Sequence, residues 1–85
     1  MGRKEKLIKR LKSKPKDFTY IEMKTLLELL GYQQLNKGKT SGSRIMFTNE
    51  NNSNYVSFHK PHPNNELPYY VIKNVLENLE KEGLI

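Results

Sequence analysis

The sequence predicts an α+β fold in which a three-stranded antiparallel sheet carries its helices on one face. Three observations support this. The runs Arg44-Ile45-Met46-Phe47 and Tyr55-Val56-Ser57-Phe58 alternate polar and apolar residues with period two, around the polar tract Asn49-Glu50-Asn51-Asn52-Ser53. Two further stretches repeat apolar residues at helical spacing: Met23, Leu26, Leu27 and Leu30, then Ile72, Val75, Leu76 and Leu79. Proline and glycine separate these segments at Pro15, Gly31, Pro61, Pro63 and Gly83.

The first element spans Arg3 to Lys12, with Leu7, Ile8 and Leu11 as a narrow apolar stripe and a strongly basic back. Pro15 stops it, because a residue preceding proline is disfavoured in the helical region. The second helix has a strong start signal. Thr19 is the N-cap, Glu22 closes a capping box, and Phe18 and Met23 stand at the positions of a hydrophobic staple. Gly31 occupies the C′ position, where a left-handed residue ends a helix. Tyr32 to Lys37 reads as a first strand, with Tyr32 and Gln34 on one face and Gln33 and Leu35 on the other. Residues Lys60 to Leu67, interrupted by Pro61 and Pro63, read as a stiff extended crossing. Pro68 then stands in the first turn of the last helix, Tyr69 extends its buried stripe, and Gly83 stops it. Leu84 and Ile85 are placed to fold back onto the core.

The hairpin's register follows from its hydrophobic faces. With Asn51-Asn52 at the tip, Phe47 pairs with Val56 and Ile45 with Phe58 on the core face. Met46 then meets Ser57, and Arg44 meets His59, on the other face. A one-residue slip would bury Arg44, which desolvation disfavours. The element order is α-α-β-β-β-α. This is the layout of a double-stranded-RNA-binding-like fold with one helix added in front. The chain reads as one domain over residues 1–85, with residues 1–17 as the extra helix and linker and 18–85 as the core.

Composition limits the function classes. The 85 residues include 15 Lys and Arg against 9 Asp and Glu, a net charge of +6. Such a balance favours a polyanionic partner, nucleic acid first. Cysteine is absent, which excludes disulfides and thiolate metal sites and suits a reducing cytoplasm. No apolar run reaches membrane-spanning length, so no membrane role is expected.

Cleavage of RNA at its 2′-hydroxyl needs a proton donor, a proton acceptor and positive charge near phosphorus. Histidine suits the proton transfers near neutral pH, and Arg or Lys suits the phosphate. The chain has two histidines, His59 and His62. On the predicted register His59 faces Arg44, with Lys60 adjacent in sequence and Lys37 and Lys39 in the glycine-rich loop before Ser43. His59 is either the acid or base of such a reaction or a strand residue without a role. His62 is a second catalytic choice, an RNA contact or a loop-shaping residue. Lys37, Lys39, Ser43, Lys60, Tyr55 and His62 form the candidate RNA-binding set. A zinc site built from His59, His62 and Glu66 offers at most three ligands, so no metal or cofactor is expected. The alternatives are an RNA-binding module without catalysis and a protein-interaction domain, whose partner would be acidic.

Three short motifs in fixed order point further: Gly42-Ser43-Arg44-Ile45-Met46-Phe47, then His62-Pro63-x-x-Glu66-Leu67, then Glu82-Gly83-Leu84-Ile85. Over Met23 to Ile85 the chain resembles the HicA-type toxins of bacterial toxin–antitoxin pairs. The resemblance implies a small basic mRNA endoribonuclease, an mRNA interferase acting without a metal and neutralised by a HicB-type antitoxin. The family's catalytic histidine normally follows Gly-Ser at the start of the second strand. Here that position holds Arg44, and His59 lies opposite it on the next strand.

Overall fold

The computed structural model describes residues 2–35, 44–51, 53–59 and 66–85. Helix α1 (Arg3–Lys12) has the predicted bounds and buries Leu7 and Leu11. It packs on α2 (Tyr20–Leu29) and α3 (Tyr69–Lys81). The strands β1 (Gln33–Gln34), β2 (Arg44–Thr48) and β3 (Tyr55–His59) form one antiparallel sheet in the order β1-β2-β3. The order α-α-β-β-β-α is the one the sequence predicts.

The hairpin register is also as predicted: Phe47 pairs with Val56, Ile45 with Phe58, Met46 with Ser57 and Arg44 with His59. Ile45, Phe47, Val56 and Phe58 are all buried, in one cluster with Met23, Leu26 and Leu27 of α2 and the α3 stripe. Phe47 stacks against Phe58 at 6.2 Å, and Tyr20 meets Phe58 edge-on at 6.3 Å. Each fully buried side chain of this size contributes about 1.5–3 kcal/mol. Thr48 lies on the opposite face of the central strand. It is nevertheless fully buried, and its hydroxyl donates to the Asn54 carbonyl at 3.3 Å.

The start of α2 is tied to α1 through one arginine. The Glu22 N–H donates to Thr19 Oγ1, and Glu22 Oε1 accepts from the Thr19 N–H, completing the capping box. Arg10 Nε donates to Glu22 Oε2 at 2.8 Å, and another of its nitrogens bridges Asp17 Oδ1 at 3.0 Å. The Arg10 guanidinium also lies 5.7 Å above the Phe18 ring. Burial pushes the Glu22 carboxyl up, but the Thr19 N–H and the Arg10 guanidinium outweigh it and hold the carboxyl below its ordinary value.

All three helices reach C′ with positive φ, and two of them use glycine there. In α2 the Tyr32 N–H reaches the Leu27 carbonyl and the Gly31 N–H the Glu28 carbonyl, with Gly31 at φ +95°. In α3 the Leu84 N–H reaches Leu79 and the Gly83 N–H reaches Glu80, with Gly83 at φ +74°. Both are Schellman motifs. In α1 the corresponding residue is Lys14, at φ 51°, with its N–H on the Leu11 carbonyl. Pro15 follows and has no N–H to complete the second bond.

Some expectations are corrected. Pro68 is the N-cap of α3, with extended ψ of 154°, rather than a first-turn residue. Its carbonyl accepts from Val71 and Ile72, a role that requires no N–H of its own. Tyr69 is 56% exposed and does not extend the stripe; Val71, one turn before Val75, fills that face instead. The regular part of β1 is short, though the Leu35 N–H continues its ladder to the Met46 carbonyl. Ile85 packs against the core, whereas Leu84 stays exposed. The Lys37 end of the expected first strand, Asn52 of the turn and the crossing over Lys60 to Asn65 lie outside the described residues.

Two stability outcomes are expected. Lys14→Gly relieves a left-handed conformation that L-residues disfavour, and should raise the urea unfolding free energy by about 1 kcal/mol; Gly31→Ala should lower it similarly. Glu22, whose carboxyl is held low, adds stability that is fully present above its ordinary value of 4.5. That contribution is lost as pH falls through the lowered value. Unfolding midpoints from pH 7 to pH 3 should therefore fall less steeply in Glu22→Gln than in the parent.

Candidate functional site

Burial of the hairpin's apolar face turns Tyr55, Ser57 and His59 outward together. His59 ends β3, and Tyr55, 51% exposed, begins it. Their Cα atoms are four residues apart along an extended strand, roughly 13 Å. Tyr55 therefore does not share an immediate contact with His59. Between them lie Ser57 and the half-buried Met46, with Leu35 of the β1 ladder 44% exposed at the far side.

The hydrogen bonds outside the strand pairs fix the kind of rung that His59 occupies. The Asn49 N–H donates to the Asn54 carbonyl at 3.3 Å, making that pair the last bonded rung before the turn. Bonded and non-bonded rungs alternate in an antiparallel pair, so Thr48–Tyr55, Met46–Ser57 and Arg44–His59 are all non-bonded rungs. The Tyr55 carbonyl accordingly points away from β2, where it accepts from Asn78 Nδ2 of α3 at 3.0 Å. Non-bonded rungs bring Cα atoms to about 4.5 Å. Residues 44 and 59 are thus close cross-strand neighbours.

Asn78 belongs to a polar chain that fixes the hairpin to α3. Asn54 Nδ2 donates both to Tyr32 Oη and to Asn78 Oδ1, the latter at 2.8 Å. Asn49 Oδ1 accepts from the Ser53 and Asn54 N–H groups and closes the turn. These groups satisfy one another in partly buried surroundings. The sequence signals no such partnership, because its members lie 22 and 24 residues apart.

A cleft runs between the outer edge of β3 and α3, beside His59. Tyr70 and Asn74 line it with His59, and neither is singled out by the sequence pattern. Of the residues named from sequence, His59, Tyr55 and the backbone of Arg44 belong to the described sheet. Lys37, Lys39, Ser43, Lys60 and His62 lie outside the described residues. Glu66, weighed as a metal ligand, is exposed and bridges Thr19 through its backbone. Among the described residues no group of three or more His, Asp or Glu is placed to hold a metal. The basic residues of α1 sit on the helical layer, through its packing on α2 and α3, and do not share the face that carries His59.

The class of protein so defined is a small α+β domain, with its helices on one face of the sheet and an exposed histidine on the other. The family model described as the HicA toxin of bacterial toxin–antitoxin systems matches residues 21–80, and the chain belongs to that family. Membership assigns it to the toxins of such pairs and implies an antitoxin partner. The matched residues begin inside α2, so α1 precedes them. Neither the curated proteins nor the solved structures contain a match to the chain. Among the described residues, no helix is long and apolar enough to cross a membrane.

Asn78→Ala should remove one of the two acceptors of the Asn54 amide and the side-chain donor to the Tyr55 carbonyl. The expected cost is about 1–2 kcal/mol in urea unfolding. The backbone amide signals of Asn54 and Tyr55 should shift, while those of α1 stay in place.

Proposed function

We propose that the chain is a cytoplasmic mRNA endoribonuclease toxin that acts without a metal and is held inactive by a HicB-type antitoxin. The observation that carries this reading is the rung that pairs Arg44 with the exposed His59 on the open face of a family member's sheet. In the proposed reaction His59 accepts the proton of a ribose 2′-hydroxyl. The 2′-oxygen forms a bond to phosphorus, the bond to the 5′-oxygen breaks, and that oxygen takes a proton as it leaves. Products carry a 2′,3′-cyclic phosphate and a 5′-hydroxyl. Arg44 offsets the charge on the phosphate, and Lys37, Lys39, Ser43 and Lys60 hold the backbone. Tyr55, farther along the strand, takes a neighbouring nucleotide, and His62 is the second choice for a proton-transfer role. An acidic antitoxin surface laid over this face would exclude RNA by competing for the same cations.

The position of Arg44 favours one other reading. The family's usual catalytic histidine would stand there, so a protein that binds RNA without cutting it is the alternative. Incubation of a mixed-sequence RNA with the purified protein in EDTA separates the two. His59→Ala is expected to slow cleavage by about a hundredfold or more, with RNA affinity largely retained. Arg44→Ala should weaken both cleavage and binding, and reduce the dependence of binding on salt. Full cleavage by His59→Ala would transfer the role to His62. An inactive parent with salt-sensitive RNA binding would establish the non-catalytic reading.

A further inference from the structure

Helix α3 presents Tyr70, Asn74 and Asn78 at successive turns on the stripe that borders β3. The three residues have different fates. Asn78 is committed to the fold, its amide shared between Asn54 and the Tyr55 carbonyl. Asn74, one turn earlier, is exposed, and its amide has no hydrogen-bond partner among the described residues. Tyr70 is 59% exposed, and among the described residues it has neither a ring partner nor a hydrogen bond for its hydroxyl. Val71 and Val75, both buried, form the floor of the cleft between these residues and His59.

We propose that this cleft receives one unpaired nucleobase of the RNA, stacked on Tyr70 and read along its edge by Asn74. The proposal rests on the reading of the chain as an RNA-directed toxin. The charge pattern selects the base over the other parts of a nucleotide. Among the described residues, none that lines the cleft is a lysine, an arginine or a carboxylate, so these residues offer no charged partner to a phosphate. An apolar floor, an open aromatic face and a free amide instead match a flat, uncharged heterocycle. Single-stranded RNA is read in this way, by bases splayed onto aromatic rings and hydrogen-bonded at their edges. The amide of Asn74 both donates and accepts, as base-edge recognition requires. Because His59 lines the same cleft, a base seated there holds its own nucleotide at the His59 end of β3. The site thereby chooses which nucleotide is presented for proton transfer, and Tyr70 and Asn74 act as positioning residues.

The test is fluorescence anisotropy with a short labelled oligoribonucleotide and its abasic counterpart, using the parent, Tyr70→Phe, Tyr70→Ala and Asn74→Ala. All three substitutions fall at exposed positions, and circular dichroism checks their folding. The parent should bind the base-bearing strand about tenfold more tightly than the abasic one. Tyr70→Phe should keep that difference. Tyr70→Ala should abolish it while leaving the slope of affinity against salt unchanged, since no phosphate contact is lost. In the cleavage assay Asn74→Ala should spread the cut sites over more base types. Parent-like discrimination in both Tyr70→Ala and Asn74→Ala overturns the base site while leaving RNA binding in place. A parent that binds neither strand overturns the RNA-directed reading and the base site with it. Base-dependent binding without cleavage supports the site and removes only the ribonuclease activity.

Discussion

The constraint on which the rest depends is the hairpin register, set by the need to bury Ile45, Phe47, Val56 and Phe58 on one face. Strand side chains alternate strictly, so that demand leaves no choice about the other face. His59 is exposed because Phe58 is buried. A slip of one residue in β3 would place His59 in the core and expose Val56 and Phe58. Tyr20 and the Phe47–Phe58 pair extend the same contact into α2, whose capping box in turn holds α1 through Arg10. The surface that carries the candidate chemistry therefore follows from packing on the reverse side of the sheet.

Along β3, the tie to α3 and the candidate site fall at opposite ends. At the Tyr55 end, Asn78 takes the outward carbonyl and ties the strand to α3. At the His59 end, the same helix stripe brings Tyr70 and Asn74 into one cleft with His59. An edge strand with unprotected backbone groups invites unwanted pairing, and a helix alongside is one way of limiting it. Here the helix closes one end with an asparagine and shapes the other.

The parts of this arrangement legible in the sequence are those fixed by local periodicity and end signals. The bounds of α1, the Thr19–Glu22 capping box, the stops at Gly31 and Gly83 and the hairpin register all belong to this class. Pattern reading stopped where contacts are long-range and polar. The Tyr32–Asn54–Asn78 chain joins three segments, and nothing in any one of them announces the other two. At the start of α3 two adjacent tyrosines gave the stripe no clear phase. Tyr69 looked like a core residue, yet Val71 fills that face and Tyr70 lines the cleft. At Lys14 the positive φ was hidden because the residue type argues against it. Of the candidate site, His59, Tyr55 and the position of Arg44 were legible through the register alone. Tyr70 and Asn74 were not, since they join His59 only when α3 folds along the edge of β3.

The rung shared by residues 44 and 59 bears on how a site proposed for an open sheet face could be kept while its residues are exchanged. Chemistry on an open sheet depends on which groups converge on one patch, and less on which strand supplies each. On a non-bonded rung the two Cα atoms are only about 4.5 Å apart, shorter than the reach of an arginine side chain. In the proposed reaction, exchanging histidine and arginine across that rung would move the proton-transfer group by about one strand spacing and keep one cationic residue type on the same rung. A buried pocket, whose walls fix each group, would not tolerate such a shift without repacking. An open face would tolerate it, because the register, held by the opposite side of the sheet, is indifferent to which outward side chain stands at which end of the rung.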